Sequence, residues 1–159
     1  MDYYGPGGGS AYLPQLFAAF FALFATVLVV ELIFALAYYA LMAFALSTFF
    51  GKVGVERWIA WVPFYNNWKW LEVSGQQGWF ALLSLIPGAR IVTSVFLYIG
   101  MYRSGIAFRR DGAFVVLGIF LPFVWCFILG SKSEVYQPEL ISAAGYPPPL
   151  AGYGSAEHN

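Results

Sequence analysis

Two charges stand where a lipid-facing chain should carry none. Glu31 sits near the middle of the apolar run 13–50, flanked by Val29, Val30, Leu32 and Ile33, and Arg90 lies within a second run, 79–102. An acid at the centre of a bilayer costs on the order of 2.5–3.5 kcal/mol on insertion scales, and an arginine does not escape its charge by deprotonation. Each would offset part of the other's cost, so the spacing predicts a Glu31–Arg90 pair within a helical bundle or between protomers. A purely structural reading also fits. Glu31 would lie at the interface if its helix enters the bilayer late, and Arg90 would snorkel to one surface. An ion or proton pathway needs more polar lining than Thr26, Ser84, Thr93 and Ser94 supply.

The remaining reactive inventory is thin. Cys126 is the single cysteine and His158 the single histidine, the latter in a polar tail. That excludes an internal disulfide and a cysteine-based metal site. It also leaves no intramembrane histidine for a haem. No lysine lies within an apolar run, and no Ser/His or Ser/Lys pair sits at membrane depth. The sequence therefore predicts no catalytic residue, no metal, no cofactor and no enzyme. Net charge is zero and no Lys/Arg cluster is large enough to follow a phosphate backbone, so no nucleic-acid partner is expected.

The elements that must carry these residues are hydrophobic. Of the 159 residues, 60% are hydrophobic and only 10% charged, against about 45–50% and about 25% in soluble domains. The expected fold is an all-α integral membrane protein with about three transmembrane helices. A flexible glycine-rich segment, 1–12, precedes a membrane domain, 13–131. Its apolar blocks are 13–50, 79–102 and 113–130, and a polar tail rich in Pro, Gly and Tyr, 132–159, follows. That tail is expected to be largely disordered in isolation. The first block exceeds the ~20 residues that a span requires. One long tilted helix, an interfacial helix leading into one span, or two short spans all fit, and the lack of Gly or Pro after Pro14 favours the first two. Gly51 reads as the cap of this helix. The second and third blocks carry Pro87-Gly88 and Pro122, which predict helix kinks. Ala18, Ala22 and Ala25, and again Ala35, Ala37, Ala40 and Ala43, form small-residue stripes suited to close helix packing.

The connector 51–78 interleaves charges with indoles. Such a segment reads as lying at headgroup level, with Trp58, Trp61, Tyr65, Asn66, Asn67, Trp68, Lys69 and Trp70 as candidates for lipid-headgroup contact. The alternative is a folded surface loop with exposed tryptophans.

The connectors also carry a resemblance. Phe50-Gly51-Lys52-Val53-Gly54, Trp58, Val62-Pro63-Phe64-Tyr65-Asn66, Gly78-Trp79, Leu85-Ile86-Pro87, Phe120-Leu121-Pro122 and Leu129-Gly130-Ser131 with Tyr136 together resemble an uncharacterised bacterial membrane domain. In some bacteria a similar domain precedes signal peptidase I, and stand-alone members carry that label. This chain lacks a peptidase dyad. Family members commonly have Asn after the Ile-Pro pair, where this chain has Arg90. The resemblance implies fold and topology and brings no activity.

These readings predict a small structural or accessory membrane protein, a subunit of a larger complex or a homo-oligomer, with membrane lipids and other subunits as partners. The alternative is a small oligomeric channel or transporter with Glu31 and Arg90 near its pathway. The expected location is the bacterial inner membrane, multi-pass. Lys52, Arg57, Lys69 and Lys132 outnumber Arg103, Arg109 and Arg110 by one, which places the amino terminus outside and the tail in the cytoplasm.

Overall fold

The computed structural model describes residues 8–158, with side chains from Tyr12 onward. The expected flexible segment 1–12 lies mostly outside the described residues; where it enters them, it is already helix. Regular structure among the described residues is entirely helical. The elements are α1 (Gly8–Val53), a 3₁₀ turn (Arg57–Trp61), α2 (Tyr65–Val73), a 3₁₀ segment (Gly78–Leu85), α3 (Arg90–Ala107), α4 (Phe114–Phe120), α5 (Pro122–Leu129) and α6 (Glu139–Ala143). The chain divides into two compact units, Met1–Tyr39 and Ala40–Asn159.

In the first unit the described residues belong to α1, and every side chain from Tyr12 to Tyr39 is exposed. The block 13–50 is thus helical throughout, with no hairpin inside it. Its most apolar window has a mean hydropathy of 2.6 and no buried residue. At 1.5 Å per residue the stretch from Tyr12 to Tyr39 extends about 42 Å, more than the ~30 Å of a hydrocarbon core. Polar groups are sparse. Thr26 satisfies its hydroxyl by donating to the Ala22 carbonyl at 2.8 Å.

The second unit builds its core around the carboxy-terminal turns of α1. Phe49 is fully buried, its ring centroid 5.4 Å from Trp125, 6.2 Å from Trp70 and 6.2 Å from Phe108. Trp70 and Trp125 are themselves 6.0 Å apart. One side chain of α1 thereby touches α2, the end of α3 and α5. The helix does not stop at Gly51. It continues to Val53 and ends at Gly54, whose φ of 86° suits glycine alone. The Val55 N–H returns to the Phe50 carbonyl at 2.9 Å, the closing bond of a Schellman cap.

The proline kinks expected in the second and third blocks are hairpins. A residue before proline is driven out of the helical region. Ile86 accordingly sits at φ −90°, ψ 121° before Pro87, and Leu121 at φ −134°, ψ 67° before Pro122. Gly88 adds a left-handed φ of 87°, and the chain reverses. Phe80 stacks on Phe96 at 4.1 Å across the first hairpin, where the Thr93 hydroxyl donates to the Phe80 carbonyl. Across the second, Phe114 and Trp125 are 6.2 Å apart, and a Cβ on Gly118 would come within 3.1 Å of the Trp125 ring. Pro122 opens α5 at its first position, where its missing N–H costs nothing. Among the described residues α1 is the one helix long and apolar enough to cross a membrane.

The polar tail is packed against the rest of this unit. Ile141, Ala151 and Ser155 are buried. The Leu150 N–H donates to the Glu72 carbonyl at 2.7 Å, Tyr153 to Val53 at 2.8 Å and Gln137 to Ala107 at 2.8 Å. Backbone donors of the tail meet carbonyls left over at the ends of α1, α2 and α3, and this exchange offsets the composition that otherwise favours disorder.

Phe49→Ala should destabilise the purified protein by about 3–5 kcal/mol, the cost of a large aromatic cavity. Leu23→Ala, at an exposed position, should shift stability by less than about 0.5 kcal/mol. Denaturant titration in one detergent, followed by tryptophan fluorescence, checks both.

Candidate interfacial site

The segment between α1 and α3 positions most of the expected interfacial residues on the surface. The 3₁₀ turn buries Ile59 and Ala60 and leaves Trp58 and Trp61 exposed. The chain then bends through a tight turn at Phe64. Phe64 adopts φ 63°, ψ −43°, and the Tyr65 N–H donates to the Pro63 carbonyl at 2.7 Å. That is the strained form of the γ-turn, rare for a residue with a Cβ. The Asn66 side chain donates to the Ala60 carbonyl at 3.2 Å, and its oxygen accepts from the Asn67 N–H at 2.6 Å. The Asn66 side chain therefore serves the turn through both of its polar atoms.

On α2 the periodicity separates two faces. Trp70, expected at the interface, is 4% exposed and belongs to the core beside Phe49 and Trp125. Leu71 is buried beside it, while Trp68, Lys69 and Glu72 are half-buried. Trp68 Nε1 donates to Glu72 at 2.6 Å, and Lys69 Nζ pairs with the other Glu72 oxygen at 2.8 Å. Lys69 also lies 5.9 Å from the centre of the Tyr65 ring. Tyr65 lies 6.3 Å from Trp58, whose indole N–H donates to the Glu56 carboxylate.

These side chains wall a cleft of about 370 Å³. Glu56 and Trp58 form one side, Tyr65 and Lys69 another, and Glu157 and His158 of the tail close it. Burial pulls the Lys69 pKa down, but the hydrogen bond and charge of Glu72, with Tyr65 and Glu157, outweigh it and hold the ammonium above its usual value. A lysine so held has no lone pair for nucleophilic work. Among the described residues no three His, Cys, Asp or Glu side chains converge as a metal centre requires. The cleft thus sets the carboxylates of Glu56 and Glu157 beside one ammonium, Lys69, with the Trp58 indole on its wall.

Glu31 and Arg90 belong to different units, and each is exposed. Arg90 opens α3, just after the Pro87-Gly88 turn. The ion pairs among the described residues are Lys69–Glu72 and Arg110–Glu134. Sequence reasoning passed over Arg103, which stacks 4.9 Å over the Tyr146 ring. Its signal was the apolar stripe Val95, Ile99, Tyr102 that runs along α3 and ends at this guanidinium.

Residues 58–139, just over half of the chain, match the model of a family of unknown function. The chain belongs to this family, DUF5684. No curated protein and no solved structure matches it. The DUF5684 match opens at Trp58 and closes at Glu139. It takes in the connector from Trp58 onward, both hairpins and α5, and leaves out α1 and the docked end of the tail. The family body is thus the folded second unit minus the segments that brace it.

The raised pKa of Lys69 fixes a direction with pH. Its pair with Glu72 should contribute fully below the unfolded lysine value of about 10.4 and fade as pH rises through the higher folded value. The stability difference between wild type and Lys69→Met, on the order of 1 kcal/mol for a half-buried pair one helical turn apart, should be constant at neutral pH. It should shrink above about pH 10.4. Thermal melts across that range test it; a gap that widens with pH would contradict the assignment.

Proposed function

We propose that this DUF5684 protein is a structural or accessory integral membrane protein, held by α1 and working as a subunit of a larger membrane complex or as a homo-oligomer. The observation that carries this reading is α1 itself. From Tyr12 to Tyr39 it exposes apolar side chains around its whole circumference, and a helix that is apolar all round needs lipid or other helices to cover it. One such helix near the amino terminus is weak support when taken alone. The second unit adds to it, because its proline turns are also apolar and exposed. Leu85, Ile86, Ile91, Phe120 and Leu121 all lie there.

Three crossings follow from block lengths. The hairpin geometry favours a single crossing by α1, with the two proline turns entering the headgroup and acyl boundary and Arg90 reaching phosphates. Irregular backbone is poorly tolerated deeper in lipid. Glu31 supports assembly, because in the bilayer it costs on the order of 2.5–3.5 kcal/mol unless a partner meets it. Arg90 of a second copy is one candidate, and the additivity of Glu31→Gln with Arg90→Gln separates that pair from independent roles. The bacterial inner membrane, with the tail in the cytoplasm, is the location this reading carries forward.

The full-length protein should resist alkaline carbonate extraction, and Leu28→Lys with Ile33→Lys should release it, each lysine costing about 2.5–3.5 kcal/mol at mid-helix. Wild type recovered in the soluble fraction would sink the anchoring reading. In mild detergent the native protein mass should exceed the 17.7 kDa of one chain, and Glu31→Gln should lower it. A wild type that runs as one chain with nothing co-purifying removes the subunit reading.

A further inference from the structure

Between α3 and α4 runs an open groove of about 430 Å³. Val95 and Ile99 form one wall and Val115 and Ile119 the other. The link 108–113 is short, so α4 returns antiparallel alongside α3. At one end the groove approaches the exposed turn residues Ile91, Phe120 and Leu121. At the other end stands Arg103, beside Tyr102 and Tyr146.

Arg103 is poorly matched among the described residues. No carboxylate lies within ion-pair reach. Its guanidinium makes a 3.5 Å contact from Nη1 to the Ser74 carbonyl and lies over the Tyr146 ring, while its buried Nε has no hydrogen-bond partner. The nearby arginines differ in having a side-chain acceptor. Arg110, whose Nε is likewise without a partner, pairs through Nη2 with the Glu134 carboxylate, and Arg109 donates to the Gln137 side chain at 2.6 Å. A cation at the head of an apolar channel, without a counter-charge, is complementary to an amphiphile with an anionic head and a hydrocarbon tail.

We propose that the α3–α4 groove binds an anionic phospholipid, with one acyl chain along Val95, Ile99 and Ile119 and the headgroup phosphate on Arg103. A phosphate there would supply the acceptor that Nε lacks. The chain would leave the groove at the apolar turns, the end expected to enter the membrane. The proposal rests on the membrane reading for its supply of lipid, whereas its test reads the groove alone.

The test uses full-length protein in phosphatidylcholine nanodiscs doped with a phosphatidylglycerol that carries a diazirine in one acyl chain. After illumination, adducts are mapped by peptide mass spectrometry. The expected result is labelling concentrated within residues 95–119 and displaced by unlabelled phosphatidylglycerol but not by added phosphatidylcholine. Arg103→Gln should lower the yield about tenfold, the loss expected for charge-assisted hydrogen bonds. Arg103→Lys should recover part of it, and Arg109→Gln, outside the groove, should leave it unchanged. Ile119→Trp, which fills the groove and keeps Arg103, should abolish labelling and covers the case in which Arg103→Gln does not fold. Undiminished labelling in a folded Arg103→Gln or in Ile119→Trp overturns the proposal. So does labelling spread evenly along α1. A photoactivatable palmitate that labels the groove and resists competition by phosphatidylglycerol would make it a fatty-acid site instead. Carbonate extraction, read separately, reports whether the membrane reading itself has failed.

Discussion

Phe49 is the contact on which the second unit is assembled. It arrives on the last turns of an otherwise exposed helix and meets Trp70, Phe108 and Trp125 at once. None of the later elements is large enough to bury a core alone; α4 and α5 are each only two turns long. They are held because each presents one aromatic or aliphatic face to the same ring system. Offset and tilted aromatic pairs add to simple area burial, and Phe49, Phe50, Trp70, Phe108 and Trp125 are the rings that this unit buries.

Much of this was legible before any coordinates. The long first helix follows from an apolar run without glycine or internal proline after its first turns. The breaks at Pro87-Gly88 and Pro122 fell where expected, but their size did not. A proline in isolation kinks a helix. Here the residue before each proline leaves the helical region entirely, and short-range pairs such as Phe80–Phe96 and Phe114–Trp125 reward full reversal. That reward depends on side chains ten or more residues apart and is invisible in a hydropathy window. Gly51 and Gly54 show the same limit at smaller scale. Both are plausible caps by type, and only the tertiary fit of the following loop selects the second.

For the candidate site, residue type was a better guide than residue face. Trp58, Trp61, Tyr65, Asn66, Asn67, Trp68 and Lys69 lie at or near the surface as the mixed composition suggested, whereas Trp70 turned inward with the opposite face of α2. Beyond the apolar stripe on α3 that ends at it, Arg103 gives no local sign of its unpartnered Nε. Its neighbours in space, Ser74 and Tyr146, are far away in the chain, and the acceptors that satisfy Arg109 and Arg110 come from residues beyond α5. Charge matching of this kind is a property of the folded tail, and composition alone marked that tail as disordered.

The docking of that tail also sets an order of events during synthesis. Leu150 and Tyr153 bond to carbonyls of Glu72 and Val53, so the end of α1 and the end of α2 gain their last partners from residues made about a hundred positions after α1 ends. Chains emerge amino terminus first and fold as units become complete. The greasy helix therefore leaves the ribosome long before the unit it carries can close. The closing of the second unit is thus the last step of its folding, after every residue of α1 has been made.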